Sequence, residues 1–239
     1  MVREKVKRVV EYREVVYDRE HWRLLSVLRS EAIGLLEVLA KSGVKAIVHG
    51  SIARGDVWSG SDIDVFVPYQ VPSYKIEYTL ETSGYSIRAR YVVVATPAST
   101  PKAYIVLDEL EKRVVSFPLA KLLPREYEFY KFGGMLDLEV LLKNRRVPGV
   151  DKRLVLIEPT ERGHRESPVI GREDEVASIV GVSIDTVLER VRVLSRRDRV
   201  GRTGVFVKYE LVPDESFESA LESIAKRNPW VRRVLVERG

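Results

Sequence analysis

The sequence predicts an α/β (α+β) protein: a mixed sheet with helices in the first part of the chain and a small C-terminal domain. Three observations carry this. Two short apolar runs, Lys45–Val48 and Ser61–Val67, flank a Gly-Ser turn; residues 86–117 hold three further β-type runs; and residues 173–212 place two amphipathic helical patterns ahead of β-type residues. With 239 residues, 45% hydrophobic and 31% charged, the chain is long enough to bury a proper core and excludes collagen-like, disordered and low-complexity classes.

Taken in order, apolar residues from Trp22 to Leu39 recur at helical spacing over Arg19–Lys41, and Gly43 follows as a stop signal. Lys45–Val48 is a short strand, Gly50-Ser51 turns into a brief helix, and Ser61–Val67 alternates as a second strand. Pro72–Thr82 is a further short helix, and Ser86–Ala95, Ala103–Asp108 and Arg113–Phe117 complete the sheet. Leu119–Lys143 is largely helical, with interruptions at Pro124 and Gly133-Gly134, and Asn144–Pro168 reads as a connection containing one strand, Leu154–Ile157. Glu173–Val180, the turn Gly181-Val182-Ser183 and the helix from Ile184 form a helix-turn-helix; β-type runs about Gly201–Gly204 and a helix from Glu215 to Lys226 complete a winged-helix order. The expected domains are therefore 1–120, a connecting region 121–167, and 168–239.

The chain has no cysteine, which excludes disulfide scaffolds, cysteine nucleophiles and thiolate-bound metals; three scattered histidines leave oxygen as the only plentiful metal ligand. No apolar run reaches the length of a membrane span, and the charged start from Met1 to Arg8 lacks a signal-peptide core, so a cytoplasmic protein with no membrane partner is expected. Glutamine occurs only at Gln70 and asparagine only at Asn144 and Asn228, a composition expected of a heat-adapted microbe. The net charge of +5 suits an anionic partner without deciding which.

The chemistry sits in His49–Val67. Alternation along a strand puts Asp62 and Asp64 on one side with Ile63 on the other. Two adjacent carboxylates repel unless a cation lies between them, an arrangement for Mg²⁺ ions that bridge a nucleotide's phosphates. Gly50 lets backbone approach a phosphate, Ser51 offers a hydroxyl at a helix N-terminus, and Arg54 is a nearby charge partner. His49 either lines this pocket or is a structural residue at a strand end.

This stretch, Gly50-Ser51, Arg54-Gly55 and Asp62-Ile63-Asp64, resembles the signature of the DNA polymerase β-like nucleotidyltransferases, notably their archaeal stand-alone members. The resemblance covers about Val44 to Val67. It implies transfer of a nucleoside monophosphate from an NTP, ATP first among them, to a hydroxyl acceptor such as RNA, protein or a small molecule. It also implies a two-metal site for Mg²⁺, with Mn²⁺ as an alternative. Members usually carry a third carboxylate on a neighbouring strand. The strand Ile87–Val94 contains no acid, so the candidates are Asp108, preferred here, and Glu77 or Glu109; with none of these, the fold would bind nucleotide without turning it over.

Two other segments invite function: Arg162–Pro168 as a lid or solvated connection, and Phe129–Gly134 as a base-stacking patch or helix end. In the C-terminal segment, Arg190, Arg196, Arg197 and Arg202 belong to a basic run that fits phosphate binding. The same run is explained by bases favouring a helix C-terminus, and a homodimer contact is a further use for it. The alternative to an enzyme is a nucleic-acid-binding regulator with a winged helix and a catalytically idle first domain.

Overall fold

The computed structural model describes residues 5–7, 12–201 and 203–239. In chain order its elements are β1 (Arg13–Val16), α1 (Arg19–Lys41), β2 (Ile47–His49), α2 (Ser51–Arg54), β3 (Ile63–Phe66), α3 (Ser73–Thr82), β4 (Ala89–Val94), β5 (Lys102–Val106), β6 (Arg113–Pro118) and α4 (Pro124–Phe132). There follow β7 (Met135–Asp137), α5 (Leu138–Leu142), β8 (Gly149–Val150), β9 (Val155–Thr160), β10 (Gly163–Pro168), α6 (Glu173–Val180), α7 (Ile184–Val200), β11 (Val207–Glu210), α8 (Phe217–Arg227) and α9 (Pro229–Arg238). No helix among the described residues is long and apolar enough to cross a membrane.

The chain divides into two compact units, one of Met1–Glu31, Val48–Ser61 and Tyr127–Thr203, the other of Ala32–Ile47, Asp62–Glu126 and Gly204–Gly239. Each is assembled from three separated stretches rather than from the consecutive segments 1–120, 121–167 and 168–239 that local patterns suggest.

In the second unit the strands run β11-β4-β5-β6-β3. β3 and β6 are parallel, while β6-β5, β5-β4 and β4-β11 are antiparallel, so the sheet is mixed as expected. Alternation separates its faces: Val65, Val115 and Ile105 are level across three strands and fully buried, and Phe117 on the same face meets Phe217 of α8, ring centroids 5.5 Å apart. Ser216 caps α8 by accepting from the Ser219 amide, and Asn228 caps α9, whose first residue is Pro229.

Among the described residues the expected C-terminal hairpin does not form. α7 continues to Val200, and Val207–Glu210 pairs antiparallel with β4, a strand more than a hundred residues earlier, as the edge of this sheet. Helix-turn-helix is therefore present without its wing.

The first unit contains an antiparallel sheet in the order β1-β10-β9-β8. Residues 144–168, expected as a connection, thus supply three of its four strands. Gly163 is required where β10 meets β1, because a Cβ there would run into the carbonyl of Val15. Leu154, Leu156, Val169, Val176, Val187 and Leu194 share one core with Phe132, which packs α6 and α7 onto the sheet. Ser183 caps α7, and the Glu128 carboxylate accepts from the hydroxyls of Ser183 (2.6 Å) and Thr186 (2.5 Å). Those hydrogen bonds hold the Glu128 carboxyl below the usual glutamate range.

Candidate active site

The Gly-Ser turn belongs to the first unit. Gly50 has φ 78° and ψ −144°, a backbone conformation closed to other residues, and its amide donates to the Gly134 carbonyl at 2.9 Å. α2 is a single turn, so its dipole is small and any anion at this end must be held mainly by individual amides and by Ser51. The Ser51 hydroxyl donates to that of Ser61 at 3.1 Å, and Ser61, buried, also accepts from the Trp58 amide at 3.0 Å.

The far end of α2 is clamped. Arg29, 3% exposed, donates from Nε and Nη2 to the Ile52 carbonyl, from Nη2 to the Ala53 carbonyl, and from Nη1 to Asn144. Burial, reinforced by the charge of Arg146, pulls its guanidinium down to about 10. His21 Nε2 meets the Gly55 carbonyl at 2.8 Å. Arg54, expected to face a nucleotide, is instead buried: Nε and Nη2 donate to Asp56 at 3.0 and 2.9 Å and Nη1 to the Gly133 carbonyl at 2.6 Å. Its donors brace the turn.

The aspartate pair belongs to the second unit. Ile63 is buried on one side of β3, while Asp62 is exposed and Asp64 half-buried. Asp64 makes no hydrogen bond or ion pair among the described residues, and its charge adds to burial in pushing the Tyr104 hydroxyl up to about 12. Across the sheet Asp64 is level with Val114 of β6, and Val114 with Val106 of β5.

No acid stands on β6, whose sequence is RVVSFP. Asp108 lies beyond the end of β5, which β6 separates from β3, so it is about 10 Å from the level of Asp62 by strand spacing. Its carboxylate accepts from the amides of Leu110 (2.9 Å), Lys112 (3.1 Å) and Arg113 (2.6 Å), closing the β5–β6 turn. The structure therefore does not bring Asp108 to the Asp62/Asp64 pair. Glu77 is paired with Arg90 at 2.9 Å, and Glu109 is exposed in the same turn as Asp108. Among the described residues no group of three acidic or histidine side chains is arranged to hold a metal ion.

A model of the nucleotidyltransferase domain matches residues 32–190, about two thirds of the chain. The chain belongs to the nucleotidyltransferase family. No curated protein matches it, and no solved structure does. The matched region of this nucleotidyltransferase includes both the Gly-Ser turn and the aspartate pair.

The remaining expected residues of the nucleotidyltransferase are dispersed. Arg190 lies over the Phe129 ring at 4.9 Å, and burial, with Arg197 adding to it, lowers its guanidinium to about 10. It is packed rather than presented to a phosphate. Arg196 and Arg197 are exposed on α7, and Arg202 lies outside the described residues. Phe129–Gly134 ends α4, with Phe129 carrying Arg190 and His49 edge-on to Tyr130 at 4.9 Å. Residues 163–168 are strand β10, and His164 is buried there against Tyr17. Arg29, Ser61 and Trp58 went unread: the serine before Asp-x-Asp was a local signal for Ser61, whereas nothing near Arg29 in sequence indicates what it holds.

Proposed function

We propose that this nucleotidyltransferase moves a nucleoside monophosphate from an NTP to a hydroxyl acceptor and releases pyrophosphate. The observation that carries the reading is the Asp62/Asp64 pair, carboxylates either side of the buried Ile63 and separated from the Gly-Ser turn by ten residues, with Asp64 lacking a hydrogen-bonded or ionic partner among the described residues. Mg²⁺ commonly takes one or two carboxylates together with substrate phosphates and water, so the pair suits such an ion without a third acid. Mn²⁺ accepts the same oxygen donors. Bound there, the metal would supply neutralisation of phosphate charge as the reaction proceeds.

The chain's own residues bind and orient. Gly50 leaves an open backbone edge, with no atom beyond its chain neighbours within 4 Å of where a side chain would begin, and Ser51 supplies a hydroxyl for terminal phosphates. Catalysis then consists of in-line placement: the acceptor oxygen bonds to the α-phosphorus as the bond to the pyrophosphate oxygen breaks. With no carboxylate on β6, the acceptor's proton is lost to water.

One observation favours a second reading. The β6 residues level with Asp64 and Phe66 are Val114 and Ser116, which cannot serve as a general base at neutral pH. A domain that binds nucleotide without turnover, with the exposed Arg196 and Arg197 of α7 against a polynucleotide, would fit that composition. Incubation with each labelled NTP, Mg²⁺, and total RNA or protein separates the two. Label transfer with pyrophosphate release supports the transferase; nucleotide binding without release under every condition selects the regulator.

A further inference from the structure

Trp58 is 60% exposed, yet its ring is held in place by the backbone around it. The chain turns at Trp58–Ser61, where the Ser61 amide donates to the Trp58 carbonyl at 2.9 Å and the Trp58 amide donates to the Ser61 hydroxyl at 3.0 Å. The six-membered ring of the indole lies against Gly60 so closely that a Cβ built there would fall 2.6 Å from Cζ2 and 2.7 Å from Cζ3. Gly60 has no unusual φ, so what it provides is room for the ring. A large aromatic side chain is thus kept flat on the backbone with its other face in solvent, at a cost in exposed apolar area that packing does not explain.

Its place in the motif indicates what that face is for. Ser61 links Trp58 to Ser51 through two hydrogen bonds, 3.0 Å from the Trp58 amide and 3.1 Å from the Ser51 hydroxyl. The indole therefore extends from the same turn that holds the proposed phosphate-binding hydroxyl. Every nucleobase has a π face, and an indole binds it by stacking with little preference among bases.

We propose that Trp58 is a stacking platform for the base of the nucleoside triphosphate whose terminal phosphates meet Ser51. The inference rests on the proposed nucleotide site and adds a base-contacting residue to it. Gly60 is then a positioning residue, keeping the ring in place by the absence of a side chain. Weak discrimination among the four nucleotides follows, because stacking reads aromaticity rather than a hydrogen-bonding edge.

The test uses the full chain and two probes, Mg-ATP and Mg-tripolyphosphate, titrated by calorimetry while tryptophan fluorescence is followed. Trp58→Ala should weaken ATP about 5- to 150-fold, the range of one aromatic–base stack, and leave tripolyphosphate within about twofold. Gly60→Ala should reproduce a smaller ATP-selective loss in the native background and have little effect on ATP in the Trp58→Ala background, since the three atoms nearest its Cβ all belong to the ring. ATP, but not tripolyphosphate, should quench fluorescence, and Trp58→Phe should abolish that quench while retaining most affinity. Equal losses for both probes, or an unchanged ATP affinity in Trp58→Ala, would overturn the platform while leaving the phosphate site standing. A loss seen only with a single-stranded oligonucleotide would also overturn it, by assigning the ring to an acceptor base. Binding of neither probe by the native chain would overturn the nucleotide site itself, and the platform with it.

Discussion

Arg29 donates from both Nε and Nη2 to the carbonyl of Ile52, at 3.1 and 3.0 Å, and so fixes the residue that follows the Gly-Ser turn. A buried guanidinium is serving backbone carbonyls, the partially negative C-terminal end of α2, instead of a carboxylate.

Removing that guanidinium should cost stability before anything else. Arg29→Ala strands the carbonyl of Ile52 and leaves that of Ala53 with the Val147 amide at 3.2 Å, a loss of about 1 to 3 kcal/mol. Arg29→Lys keeps the charge but cannot span the three groups, and should recover only part. Denaturant unfolding measures both; an alanine variant as stable as the native chain would show that the clamp does not matter.

Asp108 and Asp64 should behave differently. Asp108→Ala releases three turn amides and is expected to cost about 1 to 3 kcal/mol of stability while leaving metal-dependent nucleotide binding intact. Asp64→Asn should leave stability nearly unchanged and weaken metal-dependent binding. A variant of Asp108 that folds normally and loses the metal response would restore it to the site.

The extent to which these features are legible in sequence follows from how local their causes are. The Gly-Ser turn, the alternation of Asp62-Ile63-Asp64 and the turn Gly181-Val182-Ser183 depend on neighbours within a few residues, so pattern reading finds them. β11 depends on β4 across more than a hundred residues, and Gly201–Gly204 beside it imitates a hairpin turn. β1 is absent from the sequence reading because Arg13–Val16 is short and mostly exposed, and exists through its pairing with β10. Arg54 and Asp108 have the right residue type near the right place. Only the hydrogen bonds of the folded chain show that Arg54 braces Asp56 and Gly133, and that Asp108 closes a turn.

The first unit should weaken in mild acid. The Tyr17 hydroxyl and His164 Nδ1 share a hydrogen bond of 2.7 Å, and Glu166 lies 3.7 Å from Nε2. Burial lowers the His164 pKa below its ordinary 6.5, opposed by the charges of Asp56 and Glu166, while His21, stacked on Tyr17, acts with burial. Between the folded value and 6.5 the unfolded chain binds more protons, so stability falls as pH drops through that window. Melting temperatures from pH 7.5 to 5 should decline in the native chain and decline less in His164→Asn. Parallel curves would remove His164 as the cause.

Ser51 should matter for phosphate and not for folding. Its hydroxyl donates to Ser61, which has a hydroxyl proton of its own to return when Ser51 turns to a phosphate. Ser51→Ala is expected to weaken triphosphate binding by about 1 to 2 kcal/mol and a nucleoside hardly at all. Equal losses for triphosphate and nucleoside would mean the turn itself had been damaged.

The aspartate pair is tested most directly by calorimetric titration of ATP, with and without Mg²⁺, into the native chain and into the Asp62→Asn, Asp64→Asn double variant. The native chain should bind ATP at least about tenfold more tightly with Mg²⁺, and the double variant, folded to the same melting temperature, should lose that increment while keeping its metal-free affinity. A double variant that retains the full Mg²⁺-dependent gain would contradict the assignment of the metal to Asp62 and Asp64.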